Sequence, residues 1–318
     1  MGGVSTAPTK RTTEPDFDPW RCEPDLQPLR AAARSGDVAT VHDALVRLGG
    51  DEQATVAHCL LAEIDELDGP WRAALAAQPA DPVLGTLRAA RLTVTAWRAR
   101  GSGRASTVTR EGWRMFSADL EAAERTLVEV CGRHPDHTPA WDARLTTARG
   151  LELGLAEARR RYARVEALDP HRTWAQRSLV QQLCPKWSGS WEDAFGFARE
   201  RAAAAPDGHP SAALVAAVHV ERWLEDKDGA LTGDVLDEIE AAAARSVLHE
   251  RSTPSTATSH AHSELAMLLS VGGRPAAAHA HFEALGDAPT DSGWCYTAGP
   301  GREYLRRRRT ALKAGGAR

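Results

Sequence analysis

The chain has 318 residues, 42% of them hydrophobic and 26% charged, with a formal net charge of −4. That length holds one large or two small domains, and the slightly acidic balance excludes a general nucleic-acid binder, which needs a basic face. No apolar run approaches the roughly 20 residues that cross a bilayer, and the N-terminus has no apolar signal core. The expected setting is the cytoplasm, with no membrane partner. Cys22, Cys59, Cys131, Cys184 and Cys295 are widely spaced and form no Cys-x-x-Cys pair, the usage of reduced thiols in such a compartment.

Residues 1–24 are rich in Thr, Pro and Gly and read as a disordered lead-in, pinned by Phe17 and Trp20. A single helical-repeat domain is expected over 25–314. It opens with Leu29, Val38, Val41, Leu45 and Leu48 at helical spacing, a stop at Gly49-Gly50, and a second helix over 52–66. Alanine, the strongest helix former, is abundant, and β-branched runs of strand length are almost absent; Val83-Leu-Gly-Thr-Leu87 is the nearest. Glycine and serine without apolar periodicity mark 98–110 as an exposed loop, with further loops near 251–257 and 286–300.

The centre repeats. Pro135, Pro170 and Pro206 each follow a helical stretch, at intervals of 35 and 36 residues. Trp141 and Trp174 open the next helices, each three residues before an arginine, Arg144 and Arg177. Ala158 and Tyr162 stand twelve and eight residues before Pro170; Ala194 and Ala198, and Ala123 and Leu127, hold the same offsets before Pro206 and Pro135. Leu155, Ala158, Tyr162 and Val165 form one apolar stripe. A period near 34 that closes on proline is the tetratricopeptide (TPR) signature. The expected fold is all-α, a TPR-like α-solenoid of stacked antiparallel helix pairs with its core at about 118–225. Pro79 and Pro289 close degenerate units.

The most distinctive string is Cys184-Pro-Lys-Trp-Ser-Gly-Ser-Trp191-Glu-Asp193. Ser190 and Asp193 suit a helix N-cap. One reading is a long structural turn with Trp187 and Trp191 covering the core; the other is an exposed binding loop carrying Lys186, Trp187 and Trp191. The wider string from Gln181 to Ala198 resembles a hallmark of uncharacterised bacterial TPR-like proteins, Leu-x-Pro-Lys/Arg-Trp-Gly-Gly-Ser followed by a helix with Phe-Ala. This chain has Ser188 where the first glycine is usual. The resemblance is specific over 181–198 and diffuse over about 120–230. It implies the fold; the family carries no established activity.

His260-Ala-His262 and His279-Ala-His281, with Cys295 downstream, are the weak metal candidates. Residues two apart on a helix point about 200° from each other, so at most one histidine of each pair can join a shared site; solvated or capping roles are the alternative. His58-Cys59 is weaker still. No phosphate loop, His-Glu-x-x-His or Gly-x-Ser-x-Gly string is present, so no catalytic residue and no cofactor is expected. Arg306 to Arg309 read as the charged outer side of a capping helix, or as a contact for an acidic partner or a nucleic acid.

The first helices of the units should line the concave face, with Trp141, Arg144, Trp174, Arg177, Gln181, His219, Arg222 and Trp223 as candidate contacts. Tryptophan and arginine are enriched in binding hot spots, although the same residues also pack between helices and snorkel over them. The leading expectation is a non-catalytic module that binds a protein or peptide in this groove. The rival is an enzyme or small-molecule binder, with or without a metal, using a Trp/Arg/His-lined pocket; ten Trp against three Tyr and five Phe favour it. A long open groove speaks for the first, and an enclosed pocket with converging polar groups for the second.

Overall fold

Short-range capping writes the helix starts. Asp81 accepts from the Leu84 N–H and Thr109 from the Gly112 N–H, Ser190 accepts from the Asp193 N–H, and Ser255 and Thr258 cap each other reciprocally. In the computed structural model, which describes residues 14–101, 103, 105–227 and 229–316, the described residues are helical with no strand. The fifteen α-helices are α1 Gln27–Arg34, α2 Val38–Leu48, α3 Glu52–Ala62, α4 Asp68–Ala77, α5 Pro82–Arg100, α6 Arg110–Arg133, α7 Thr138–Gly150, α8 Leu155–Leu168, α9 Thr173–Leu183, α10 Trp191–Ala204, α11 Leu214–Glu225, α12 Gly233–Arg245, α13 Thr256–Val271, α14 Pro275–Leu285 and α15 Pro300–Gly315.

The proline ladder marks real helix ends. α6, α8 and α10 stop two residues before Pro135, Pro170 and Pro206, because proline biases the residue before it away from helical backbone. α5 runs to Arg100 and buries Val83 to Leu87, so the expected break at 98–110 shortens to 101–109. α3 stops at Ala62, and a 3-10 turn at Asp65–Leu67 replaces the end of the helix expected to reach 66. The stretch 286–300 holds a 3-10 turn, Trp294–Tyr296. Of the lead-in, residues 1–13 lie outside the described residues. Residues 14–24 are docked: Trp20 is 4% exposed under the Arg30 guanidinium, and Phe17 meets Tyr304 edge-on with centroids 6.2 Å apart.

Each helix from α5 to α15 packs on its successor in sequence. Alternate helices also touch, α3 with α5 and α7, then α7 with α9, α9 with α11 and α11 with α13. The repeat positions make this possible. Ala123, Leu127, Ala158, Val165, Ala194 and Ala198 are all buried, and Tyr162 of α8 fills the gap to α10, edge-on to Phe197 at 5.2 Å. Small residues admit a close approach and the aromatic restores the packed volume.

Long-range polar contacts bend this row of helices back on itself. Arg172 is 1% exposed and Asp142 is fully buried, and the Arg172 Nε–Asp142 Oδ2 contact is 2.6 Å. The same guanidinium donates to the Gly50 carbonyl and to Thr55 Oγ1, both at 2.8 Å, while Thr55 donates to Asp142 at 2.6 Å. Glu52 accepts from the Trp174 backbone N–H. Further round, Arg177 pairs with Glu264, and Glu23 accepts from Gln53 and from Thr256. The start of α3 is thereby tied to the starts of α9 and α13.

Removing one partner of a buried ion pair strands the other charge. Arg172→Ala is expected to lower unfolding stability by about 3–5 kcal/mol, measured as a fall in the urea midpoint, whereas Arg159→Ala, at an exposed pair with Asp193, should stay within about 1 kcal/mol.

Candidate binding cavity

The inner face of the bent row lines a half-open cavity of about 820 Å³. Its walls follow helical spacing: Thr86, Ala90, Thr93, Trp97 and Arg100 on α5, Pro139, Ala143, Thr146 and Arg149 on α7, and Trp174, Arg177, Ser178 and Gln181 on α9. His58 of α3, Ala217 of α11 and His260 of α13 close the ring of walls. Exposed Glu63, Gly101, Gly103, Lys186 and Tyr296 stand at its mouth. A smaller cavity of about 320 Å³, holding Glu23 and Glu52, shares Trp174, Arg177 and His260 as its partition with the larger one.

Aromatic rings and guanidinium groups dominate the mouth. Trp97 and Trp187 meet edge to face, with centroids 6.3 Å apart and planes at 86°. Arg100 lies 5.5 Å from the Trp97 ring and 5.6 Å from Trp113, and Arg149 lies 6.0 Å from Trp187. Gln181 and Lys186 both donate to Glu221, at 2.7 and 2.6 Å. Burial holds the Arg149 guanidinium below its ordinary pKa. Burial also keeps the cavity histidines neutral, with His58 and His260 each lowered to about 4. His137, behind α5 with its Nε2 3.1 Å from Thr86 Oγ1, is lowered to about 4 by burial and then by the neighbouring His58 ring. The Glu52 carboxyl moves the other way, pushed up to about 7 by burial.

The turn before α10 aims two tryptophans in different directions. Ser188 sits at φ 73°, in the left-handed region that favours glycine. A Cβ on Gly189 would collide with the Leu183 backbone. Trp187 therefore turns into the cavity, while Trp191 lies outside, its Nε1 donating to Glu225 at 2.7 Å under the Arg222 guanidinium.

Of the candidate contacts, Trp174, Arg177, Gln181, Lys186 and Trp187 come together around the cavity. The others do not join them. Trp141 is 7% exposed in the core, donates from Nε1 to the Pro135 carbonyl at 3.0 Å, and carries Arg144 on its face at 5.0 Å. Arg144 is itself buried and paired with Glu124. His219 is buried against Phe195 and bonded to Glu238 at 3.0 Å. Trp223 is buried beneath Lys227, and Arg222 pairs with Glu225 on the outer surface. The reason is register. The prolines repeat at 35 residues but the tryptophans at 33, and two residues on a helix turn a side chain by about 200°. The structural counterpart of Trp141 is Gln176, whose amide donates to the Pro170 carbonyl just as Trp141 does to Pro135.

The histidine pairs behave as helix geometry requires. One ring from each meets the other, His262 Nδ1 and His281 Nδ1 lying 2.9 Å apart, while His260 faces the cavity and His279 reaches Glu283 at 3.2 Å. Among the described residues no group of three His, Cys, Asp or Glu side chains converges as a metal would need. Trp97, Arg100 and Arg149 were not singled out by the sequence motifs. The signal that finds them is the small-polar stripe at i, i+4, i+7 on α5 and α7, which is the inner-face counterpart of an apolar core stripe. Compared with protein-family models, with curated proteins and with solved structures, the chain matches none.

Two measurements check this geometry. Ser188→Gly relieves a left-handed non-glycine residue and should raise stability by up to about 1 kcal/mol; Gly189→Ala, blocked by backbone, should lower it. Histidines held below their unfolded value of about 6.5 contribute stability that is complete above that pH and lost as the pH falls toward 4. With His58, His137, His260 and His262 each lowered to about 4 by burial, the urea midpoint should drop between pH 6.5 and 4. Glu52, raised to about 7, has the opposite sign, its contribution being lost as the pH rises through 7. Glu52→Gln should therefore gain on the wild type between pH 5 and pH 8.

Proposed function

We propose that the chain is a non-catalytic binding protein of TPR-like build, a solenoid of stacked antiparallel helix pairs, and that it holds a small organic guest in the inner cavity. The observation that carries this is the cavity itself. Its volume of about 820 Å³ falls in the range of ligand pockets, roughly 300–1,000 Å³, and three indole rings, Trp97, Trp174 and Trp187, stand in its walls. Successive-helix and alternate-helix contacts along α5 to α13 support the TPR-like reading, as do the proline ladder and the buried Ala/Tyr offsets. The inward side chains offer apolar area and hydrogen-bond donors, and the reading calls for no cofactor, nucleic acid or membrane. Its setting would be the cytoplasm.

A protein or peptide partner is the second reading. The exposed Tyr296 ring at the mouth, 43% accessible, favours it, since a partner's chain end could enter past that ring. The two differ in what the cavity must admit.

Titration with N-phenyl-1-naphthylamine, a neutral aromatic dye that brightens when desolvated, tests the cavity. One saturable site is expected, with quenching of tryptophan emission. Ala143→Trp, which fills the cavity from α7, should abolish binding without loss of helical circular dichroism. Binding that survives Ala143→Trp places the dye elsewhere and removes the small-guest reading.

A further inference from the structure

The mouth of the cavity has charge left over. Lys186 is matched by Glu221, Arg177 by Glu264, and Glu63 is engaged by Arg98. Arg149 and Arg100 both line the cavity, and among the described residues neither has a carboxylate within ion-pair distance. Arg149 is partly enclosed, and among the described residues its hydrogen bond is a long contact of 3.4 Å to the Ser178 carbonyl. Most of its N–H donors are therefore unspent. Arg100 donates to the Gly101 and Gly103 carbonyls, at 3.0 and 3.2 Å.

Both cations sit where a helix ends, Arg100 as the last residue of α5 and Arg149 one before the end of α7. The partial negative charge of a helix C-terminus makes these positions tolerable for a cation. It does not replace an anion: a partly enclosed guanidinium with free donors is best satisfied when a carboxylate or phosphate takes them as a bidentate pair. Beside Arg149 the perpendicular rings of Trp97 and Trp187 form an apolar corner. Cation and corner lie within one ring contact of each other, since Arg149 itself stands over Trp187.

From this juxtaposition we infer that the guest is a planar aromatic anion, its carboxylate or phosphate held by Arg149 and its ring lodged in the corner of Trp97 and Trp187. Arg100, on the far side of Trp97, supplies a second positive charge that draws such an anion to the mouth. This rests on the cavity reading above and specifies its ligand class.

The test pairs 1-anilinonaphthalene-8-sulfonate with the neutral N-phenyl-1-naphthylamine, the same ring system without the anion. The sulfonate is expected to bind at least about tenfold more tightly, a difference that shrinks with added salt. Arg149→Gln should bring the two dyes to similar affinity, and Arg149→Lys should keep part of the preference. Thr146→Asp, which sets a carboxylate three residues before Arg149 on the same face, should abolish the preference with Arg149 in place, so the inference stays open to refutation even if Arg149→Gln does not fold. Displacement of the sulfonate dye by 1-naphthoate or 1-naphthyl phosphate, and not by 1-naphthamide, supports the inference and shows which anion is preferred. Equal affinity for the two dyes, or a preference untouched by Thr146→Asp, overturns it while leaving the cavity reading standing. Loss of the cavity reading has its own signature, binding of both dyes unaffected by Ala143→Trp.

Discussion

The most deeply buried of the polar ties that shape the cavity is the Arg172 guanidinium. Arg172 precedes α9, yet it reaches the carbonyl of Gly50 and the hydroxyl of Thr55 more than a hundred residues earlier in the chain, while its charge is met by Asp142 of α7. A charge so fully buried is stable only when all its donors are used and its counterion is adjacent. Those demands fix the relative positions of α3, α7 and α9 to within hydrogen-bonding tolerance. Glu52 and the Trp174 N–H add a second tie at the same level. Apolar packing turns the row in the same direction, since Trp174 of α9 also packs against the apolar cluster that α3 and α5 share.

The cavity inherits its chemistry from that turn. Outer stripes of each helix are spent on core packing, so the inner stripes carry what remains, small residues, tryptophans and polar tips. Enclosure then acts on the polar groups unevenly. It keeps imidazoles neutral and lifts a carboxyl, because each avoids a charge it cannot hydrate, but a guanidinium cannot shed its proton within reach of neutral pH. Arg149 therefore stays charged where the histidines do not, and the mouth keeps a positive bias that its own carboxylates leave unmatched.

Much of the fold was legible in the chain. Helix ends at Pro135, Pro170 and Pro206 were legible because proline acts on its immediate neighbour, and the core roles of Ala158, Tyr162 and Ala198 because a helix repeats its faces every few residues. The site was legible only in part. Trp174, Arg177, Gln181, Lys186 and Trp187 face the cavity, yet Trp141 and Arg144 share their motif and do not. A spacing of 33 against a structural repeat of 35 looks negligible along the sequence, and on a helix it reverses the direction of the side chain. The anchoring of the lead-in by Phe17 and Trp20 was legible as well, but not their partners, since a Thr- and Pro-rich composition does not show that Phe17 meets Tyr304 near the other end of the chain.

By itself, the sequence determined the helical class, the helix ends at Gly49-Gly50 and before Pro135, Pro170 and Pro206, the central apolar stripes, and that no more than one histidine of each His-x-His string can join a shared site. These follow from interactions spanning a few residues, whose geometry the backbone sets. Only the tertiary structure decided which tryptophans and arginines turn inward, that Arg172 ties α9 to α3 and α7, and that among the described residues Arg149 has no carboxylate within ion-pair distance. Those outcomes depend on the rotation of each helix about its axis and on contacts between residues a hundred or more apart, where a shift of one or two positions exchanges core for cavity.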